Sequence, residues 1–177
     1  MMQEAEVSLR VALYYIKNGL TDKDVVVSID GAQVKTGGKI HFDIWSFLNE
    51  NGLAKCEGDA DKWQGTYTKD GFKQHIIISS KPGEGDVVVL LEGGKKLFVE
   101  SKKSGSSKSG QAYPLMREAI GQLMTGRELT ENIVPAVAVP YSEKSFELAT
   151  RWSEYSQIKQ IGIRFILVKA DGDIVMI

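Results

Sequence analysis

The sequence predicts an α/β chain built on a mixed central β-sheet flanked by helices, and two observations carry that expectation. The middle of the chain alternates short apolar runs with Asp-Gly and Gly-Gly turn signals, as hairpins do. After residue 130 the pattern changes to an apolar run at 133–139, a helical stretch at 143–158 and a second apolar run at 163–168. A strand, a helix and a strand of that length make a right-handed parallel unit, so hairpins and crossover together give a sheet of both strand senses. The 177 residues suffice for one core. With no internal repeat and no linker, 1–177 reads as a single domain.

Taken in order, residues 3–18 place Ala5, Leu9, Ala12 and Ile16 at helical spacing and stop at Asn18-Gly19. A short strand is expected over 25–29, ending at Asp30-Gly31, and Phe42, Ile44, Trp45, Phe47 and Leu48 mark a second helix closing at Asn51-Gly52. Residues 54–62 read as loop. Strands follow at 63–67 and 72–79 around Lys69-Asp70-Gly71, then at 87–91 and 96–101 around Gly93-Gly94, which together read as a meander. Pro114 suits the first turn of a helix over 114–125, with Leu115, Ala119, Ile120, Leu123 and Met124 as its apolar arc and Gly126 as its stop. Phe146, Ala149, Trp152 and Tyr155 form the stripe of the helix at 143–158, and Asp171-Gly172 turns the chain into a last strand at 174–177.

Hydrophobic residues at 42% and charged residues at 25% are globular proportions, which exclude disordered, collagen-like and coiled-coil chains. The longest uninterrupted apolar run, 11–16, is far below the roughly 18 to 20 residues that span a bilayer, so no membrane partner is expected. The first six residues are acidic where a signal peptide would be basic, and the one cysteine, Cys56, has no partner for a disulfide. A cytoplasmic location is expected. Net charge is −1, which excludes bulk electrostatic coating of nucleic acid, but residues 71–117 carry eight Lys and Arg against four Asp and Glu between acidic flanks. Lys95, Lys96, Lys102, Lys103 and Lys108 crowd around 101–110, a Ser/Gly/Lys stretch without an apolar residue. Charge alone favours a solvated surface loop there; contact with phosphates is the other reading.

One arrangement of acids and a base stands out. Asp86 opens an apolar strand, and Glu100-Ser101-Lys102 closes the next one. Strand side chains alternate faces, so Glu100 and Lys102 point the same way roughly 7 Å apart, beside Phe98, while Leu97, Val99 and Ser101 face the other side. Charged groups on a partly apolar face are costly without a ligand, and two carboxylates with a lysine suit a hard divalent cation and a water nucleophile. The competing structural reading has Asp86 capping a turn and Glu100 pairing with Lys102 on a solvated edge. Against it, 87–91 is apolar on both faces and reads as a central strand.

The segment Lys81-Pro82-Gly83-Glu84-Gly85-Asp86, followed by Glu100-Ser101-Lys102, resembles the PD-(D/E)XK nuclease superfamily, with Gly85 where the family has proline. The resemblance extends to a helix before the strands, a following helix and the strand-helix-strand ending; residues 24–70 match less well. It implies a restriction-endonuclease-like fold and a metal-dependent endonuclease hydrolysing DNA phosphodiester bonds. Asp86, Glu100 and the Ser101 carbonyl would hold Mg2+, with Mn2+ as a substitute, and Lys102 would orient or deprotonate water. Gln122, at the border of its helical arc, matches the polar helix residue the family often places beside the site. Glu6 matches an extra acid on the first helix of some relatives, although Arg10 one turn later offers it an ion pair. Glu84 is an alternative ligand to Asp86, and a loop residue on the plainer reading.

Lys95, Lys96, Lys103 and Lys108, with Arg117 on the other border of the helix arc, are the expected backbone contacts to DNA. A strip of this size neutralises few phosphates, so tight binding, like a cut in both strands, would call for a homodimer. The alternative function is a non-catalytic nucleic-acid- or protein-binding module on the same fold. His75 reads as a strand histidine too remote from His41 to pair with it, and Trp45, Trp63 and Trp152 read as core. Hairpin register adds a constraint. A two-residue Gly93-Gly94 loop would set Asp86 opposite Ser101, whereas a three-residue loop, Glu92-Gly93-Gly94 with a left-handed glycine, sets Asp86 opposite Glu100.

Overall fold

A computed structural model describes residues 1–104 and 112–177. Among these residues the strands form a nine-stranded mixed sheet and a separate two-stranded ribbon. The last five strands of the large sheet are β7 (Val87–Leu90), β8 (Lys96–Ser101), β9 (Ile133–Pro140), β10 (Arg164–Val168) and β11 (Ile174–Met176), each paired with the next. The β8–β9 and β9–β10 pairs are parallel, whereas β7–β8 and β10–β11 are antiparallel, as the hairpin and crossover patterns require.

The meander expected over 63–101 is interrupted. Strand β1 (Val25–Ser28) lies between β6 (Ile76–Ser79) and β7, parallel to the former and antiparallel to the latter. In that place Val25 and Val27, at 0% exposure, join Ile76, Ile78, Val87 and Val89 in one continuous apolar layer packed against the first helix, Glu4–Lys17. The link from β6 to β7 must therefore pass the end of β1, and it does so closely: a Cβ on Gly83 would collide with the Ser28 Oγ. Strand β5 (Gly65–Thr68) pairs with β6, and β4 (Ala54–Glu57) completes the edge where the sequence reads as loop. With its side chains mostly exposed, β4 carries no apolar alternation and is held by backbone pairing. A bulge between Lys55 and Glu57 brings the Glu57 carbonyl within 2.5 Å of where a Cβ on Gly65 would stand.

Helices cover both faces. α1 (Glu4–Lys17) buries Ala5, Leu9, Ala12 and Ile16 as spaced, and also Val7, Ser8, Val11 and Tyr15, because it lies across β1 and β7–β10. Leu97 and Val99 of β8 and Ala136 and Ala138 of β9 face it. Val137 and Val139 face the other side, toward α4 (Ala112–Thr125) and α5 (Glu143–Ser153). The buried line of α4 is Met116, Ala119 and Leu123, rotated from the expected arc so that Met124 is exposed, and the helix begins two residues before Pro114. In α5 the line is Ser145, Leu148, Ala149 and Trp152. Ser145 turns inward because it shares a capping box with Ser142, leaving Phe146 exposed, and the helix breaks before α6 (Ser156–Ile161), leaving Tyr155 exposed as its N-cap.

Three elements carry no sequence signal that marked them: α2 (Gly31–Val34), capped by Asp30, and the ribbon of β2 (Lys35–Thr36) and β3 (Lys39–Ile40). The second helix, α3 (Ile44–Glu50), buries Phe47 and Leu48 but leaves Trp45 46% exposed beneath Lys55, so Trp45 is not core. No helix among the described residues is long and apolar enough to cross a membrane.

Candidate active site

The β7–β8 hairpin sets the geometry. Its register is Val87↔Val99, Val88↔Phe98, Val89↔Leu97 and Leu90↔Lys96, which closes through a three-residue loop, Glu92 to Gly94. Gly93 and Gly94 both take left-handed φ, at 83° and 81°, a conformation that side chains resist. Continued by one pair, this register brings Asp86 opposite Glu100. There the ladder is replaced by a side chain. The Asp86 N–H donates to the Val99 carbonyl at 2.9 Å, its carbonyl accepts from the Ser28 N–H at 2.8 Å, and its Oδ2 accepts from the Ser101 N–H at 2.8 Å. Asp86 is thereby pinned between β1 and β8. Gly85 leaves room for this, since a Cβ there would lie 3.2 Å from the Val99 carbonyl oxygen.

Two residues beyond Glu100 along β8, Lys102 is 4% exposed, and the β7–β8 hairpin occupies the middle of the nine strands. The solvated-edge reading of Glu100 and Lys102 is thus excluded. The Lys102 Nζ stands 3.2 Å from Glu100, 3.6 Å from Glu118 of α4 and 3.8 Å from Glu4 of α1. Carboxylates from a strand and from helices on both faces therefore converge on one ammonium. Ser101 turns its hydroxyl to α1, 2.9 Å from Ser8 Oγ, and its amide toward Asp86, while the next amide, of Lys102, donates to Ala138 of β9.

Electrostatics follow from that crowding. Burial, then the neighbouring Glu100 charge and Glu4, push the half-buried Asp86 carboxyl up to about 7, against the Ser101 N–H and Lys102. Burial also raises Glu4, opposed by Lys102. For Lys102, burial acts to lower the ammonium, but Glu4 and Glu100 outweigh it and hold it above the ordinary lysine value. Lys102 is therefore a fixed cation at neutral pH, while Asp86 is held between its protonated and ionised forms there and a bound cation would favour the ionised one.

The carboxylate pair opens onto a cleft of about 570 Å³. Its walls are the ends of β1 and β7, the link between β6 and β7 with Lys81, and α4 with Gln122, followed by Arg127. Gln122 lies one turn beyond Glu118 on α4, so the rotation of that helix turns both toward the site.

Other expected residues stand elsewhere. Glu6 is bound by Arg10 at 2.9 Å, away from Lys102. Glu84 is 3.8 Å from Lys96 on the exposed surface. Lys95 borders a separate hollow with Met124 and Arg164, and Arg117 packs its guanidinium on Tyr113, 5.3 Å from the ring centroid, beside α5. Lys103 is exposed beside Lys102, and Lys108 lies outside the described residues. The basic strip is consequently divided between the two ends of β8, roughly 20 Å apart at the rise of a strand. His75 pairs with Asp24 at 3.3 Å and His41 with Thr36, neither near the cleft.

Glu4, Glu118 and Arg127 are the residues that sequence reasoning passed over. Glu4 precedes Ser8, Val11 and Tyr15 by helical steps, so it continues the most buried line of α1; that periodicity was the available signal. Glu118 stands one turn before Gln122. Arg127 follows a helix stop and had no signal. Among the described residues, no three His, Cys, Asp or Glu side chains gather as a ready metal cluster. Two carboxylates with a backbone carbonyl still fit magnesium, which keeps several waters and takes one or two protein carboxylates. The chain matches no family model, no curated protein and no solved structure.

Proposed function

We propose that this chain is a metal-dependent endonuclease hydrolysing DNA phosphodiester bonds on a restriction-endonuclease-like fold. The observation that carries the reading is the register of the central hairpin, which brings Asp86 opposite Glu100 beside the buried Lys102. Asp86 and Glu100 each have a protein partner, the Ser101 N–H and Lys102, yet the Glu100 charge still disfavours ionised Asp86 at the cleft, a strain that a divalent cation would relieve.

Asp86 and Glu100 would hold magnesium, together with the Ser101 carbonyl, which in an extended strand lies on the same side as the amide that Asp86 accepts. When bound, the ion supplies Lewis acidity toward a phosphoryl oxygen and lowers the pKa of a water. As a ligand, Asp86 would be held in its ionised form. Lys102, held as an ammonium by Glu4 and Glu100, orients a water and offsets the negative charge of the transition state rather than accepting a proton. Gln122 supplies a neutral amide from the α4 wall, able to donate to a phosphate oxygen or to a water.

Supercoiled plasmid, a branched duplex and a single strand incubated with the protein and Mg2+, against EDTA controls, test this. Nicking that requires the metal is expected. No cleavage of any of them would leave the binding module as the better reading.

A further inference from the structure

The cleft holds two kinds of cation. Lys102 is saturated by three carboxylates, whereas Arg127 makes no ion pair or side-chain hydrogen bond among the described residues, although Asp86 and Glu100 line the same cleft. Its guanidinium instead lies over the Phe98 ring, 4.3 Å from the centroid. Stacking on an aromatic face fixes the plane of a guanidinium and leaves its N–H donors free around the edge. Phe98 stands two residues before Glu100 on the same face of β8, so the seat of Arg127 is roughly 7 Å along the strand from the acid. That distance is on the order of one nucleotide step.

A cleft with a carboxylate pair at its centre repels a polyanion unless a cation is reserved for it. We propose that Arg127 is the positioning residue that receives a backbone phosphate of the nucleic-acid strand next to the bond at Asp86 and Glu100. This inference rests on the nuclease reading above. Phe98 is the platform that keeps the guanidinium from collapsing onto the carboxylates, and Lys81 on the opposite wall is a second, exposed cation.

The test is binding of a short fluorescent DNA duplex in EDTA, where nothing is cut, measured by anisotropy across a salt series. Arg127→Gln should weaken binding about tenfold and reduce the salt slope by about one, as for the loss of one phosphate contact. Arg127→Lys should keep the slope and lose affinity by a smaller factor, and Phe98→Leu should do the same through loss of the platform. If wild-type protein binds and Arg127→Gln binds equally with the same slope, the assignment of Arg127 is overturned while the nuclease reading stands. If Arg127→Gln loses binding but wild-type protein nicks nothing in Mg2+, Arg127 keeps its role and the nuclease reading falls. Wild-type protein that binds no DNA in EDTA, nor with Ca2+ in place of EDTA, overturns both.

Discussion

The two ends of the β7–β8 hairpin carry charges of the same kinds and use them differently. At the closed end, Lys95 and Lys96 are exposed, and Lys96 meets Glu84 at 3.8 Å with both side chains more than half in solvent. At the open end, Lys102 is buried among Glu4, Glu100 and Glu118. The difference arises from what covers each end. Glu4 of α1 and Glu118 of α4 reach Lys102 at the end of β8, while Glu92, Gly93 and Gly94 of the loop are exposed. An exposed ion pair is worth little, because water solvates both partners almost as well as they solvate each other. A buried cluster lacks that alternative, so every member depends on the rest.

The largest effect should come from removing the cation at the open end. Lys102→Met keeps the apolar stem but leaves three carboxylates facing one another. Loss of one partner of a buried charge cluster costs about 3 kcal/mol or more, and urea unfolding of the metal-free protein at pH 7 should show it as a lower midpoint with an unchanged slope. Cleavage should be lost in the same variant. Equal stability of Lys102→Met and wild type would mean that the open end behaves like the closed one.

A smaller effect of opposite sign is expected at Asp86. Its carboxyl titrates near 7 in the folded chain because of burial and Glu100, against an ordinary value of 3.8 in the unfolded chain. A raised acid binds its proton more tightly when folded. The stability it contributes is therefore complete below about pH 4 and is lost as pH rises through about 7. Asp86→Asn keeps an acceptor for the Ser101 N–H and removes the charge, so its metal-free stability should fall less than that of wild type over that window, with Glu4 still titrating, and should exceed wild type at pH 8. Mg2+ should raise the melting temperature of wild type at pH 8 and leave that of Asp86→Asn unchanged. A destabilised Asp86→Asn across the whole range would make Asp86 a cap for the Ser101 amide and nothing more.

How much of this was legible follows the same division. The hairpin and the place of its turn could be read because strand alternation and glycine turns are local rules, which left a two- or a three-residue loop; the structure selects the three-residue loop that sets Asp86 opposite Glu100. The insertion of β1 beside β7 could not, since the partner of a short buried strand is decided by tertiary packing and its own sequence is silent about it. The acids of the site divide in the same way. Glu100 was visible from its strand period, but choosing Glu4 over Glu6 required knowing which face of a helix buried nearly all round turns toward β8. The rotation of α4 that brings Glu118 in was hidden likewise, because Leu115, Met116, Ile120 and Met124 offer several apolar arcs and only the sheet selects one.

The smallest expected effect is at the closed end. Lys96→Ala removes the contact with Glu84, in which the two side chains are 51% and 61% exposed. Exposed pairs of this kind contribute roughly 0 to 1 kcal/mol. Unfolding midpoints of Lys96→Ala and wild type should therefore agree closely at low salt and coincide at high salt, where screening erases what remains. DNA binding is the sharper readout. If the closed end lies outside the nucleic-acid path, Lys96→Ala should leave the salt slope of binding unchanged, in contrast to Arg127→Gln. A slope reduced by about one in Lys96→Ala would extend the path along the whole of β8, roughly 20 Å from Lys102, and would make the two ends parts of one surface.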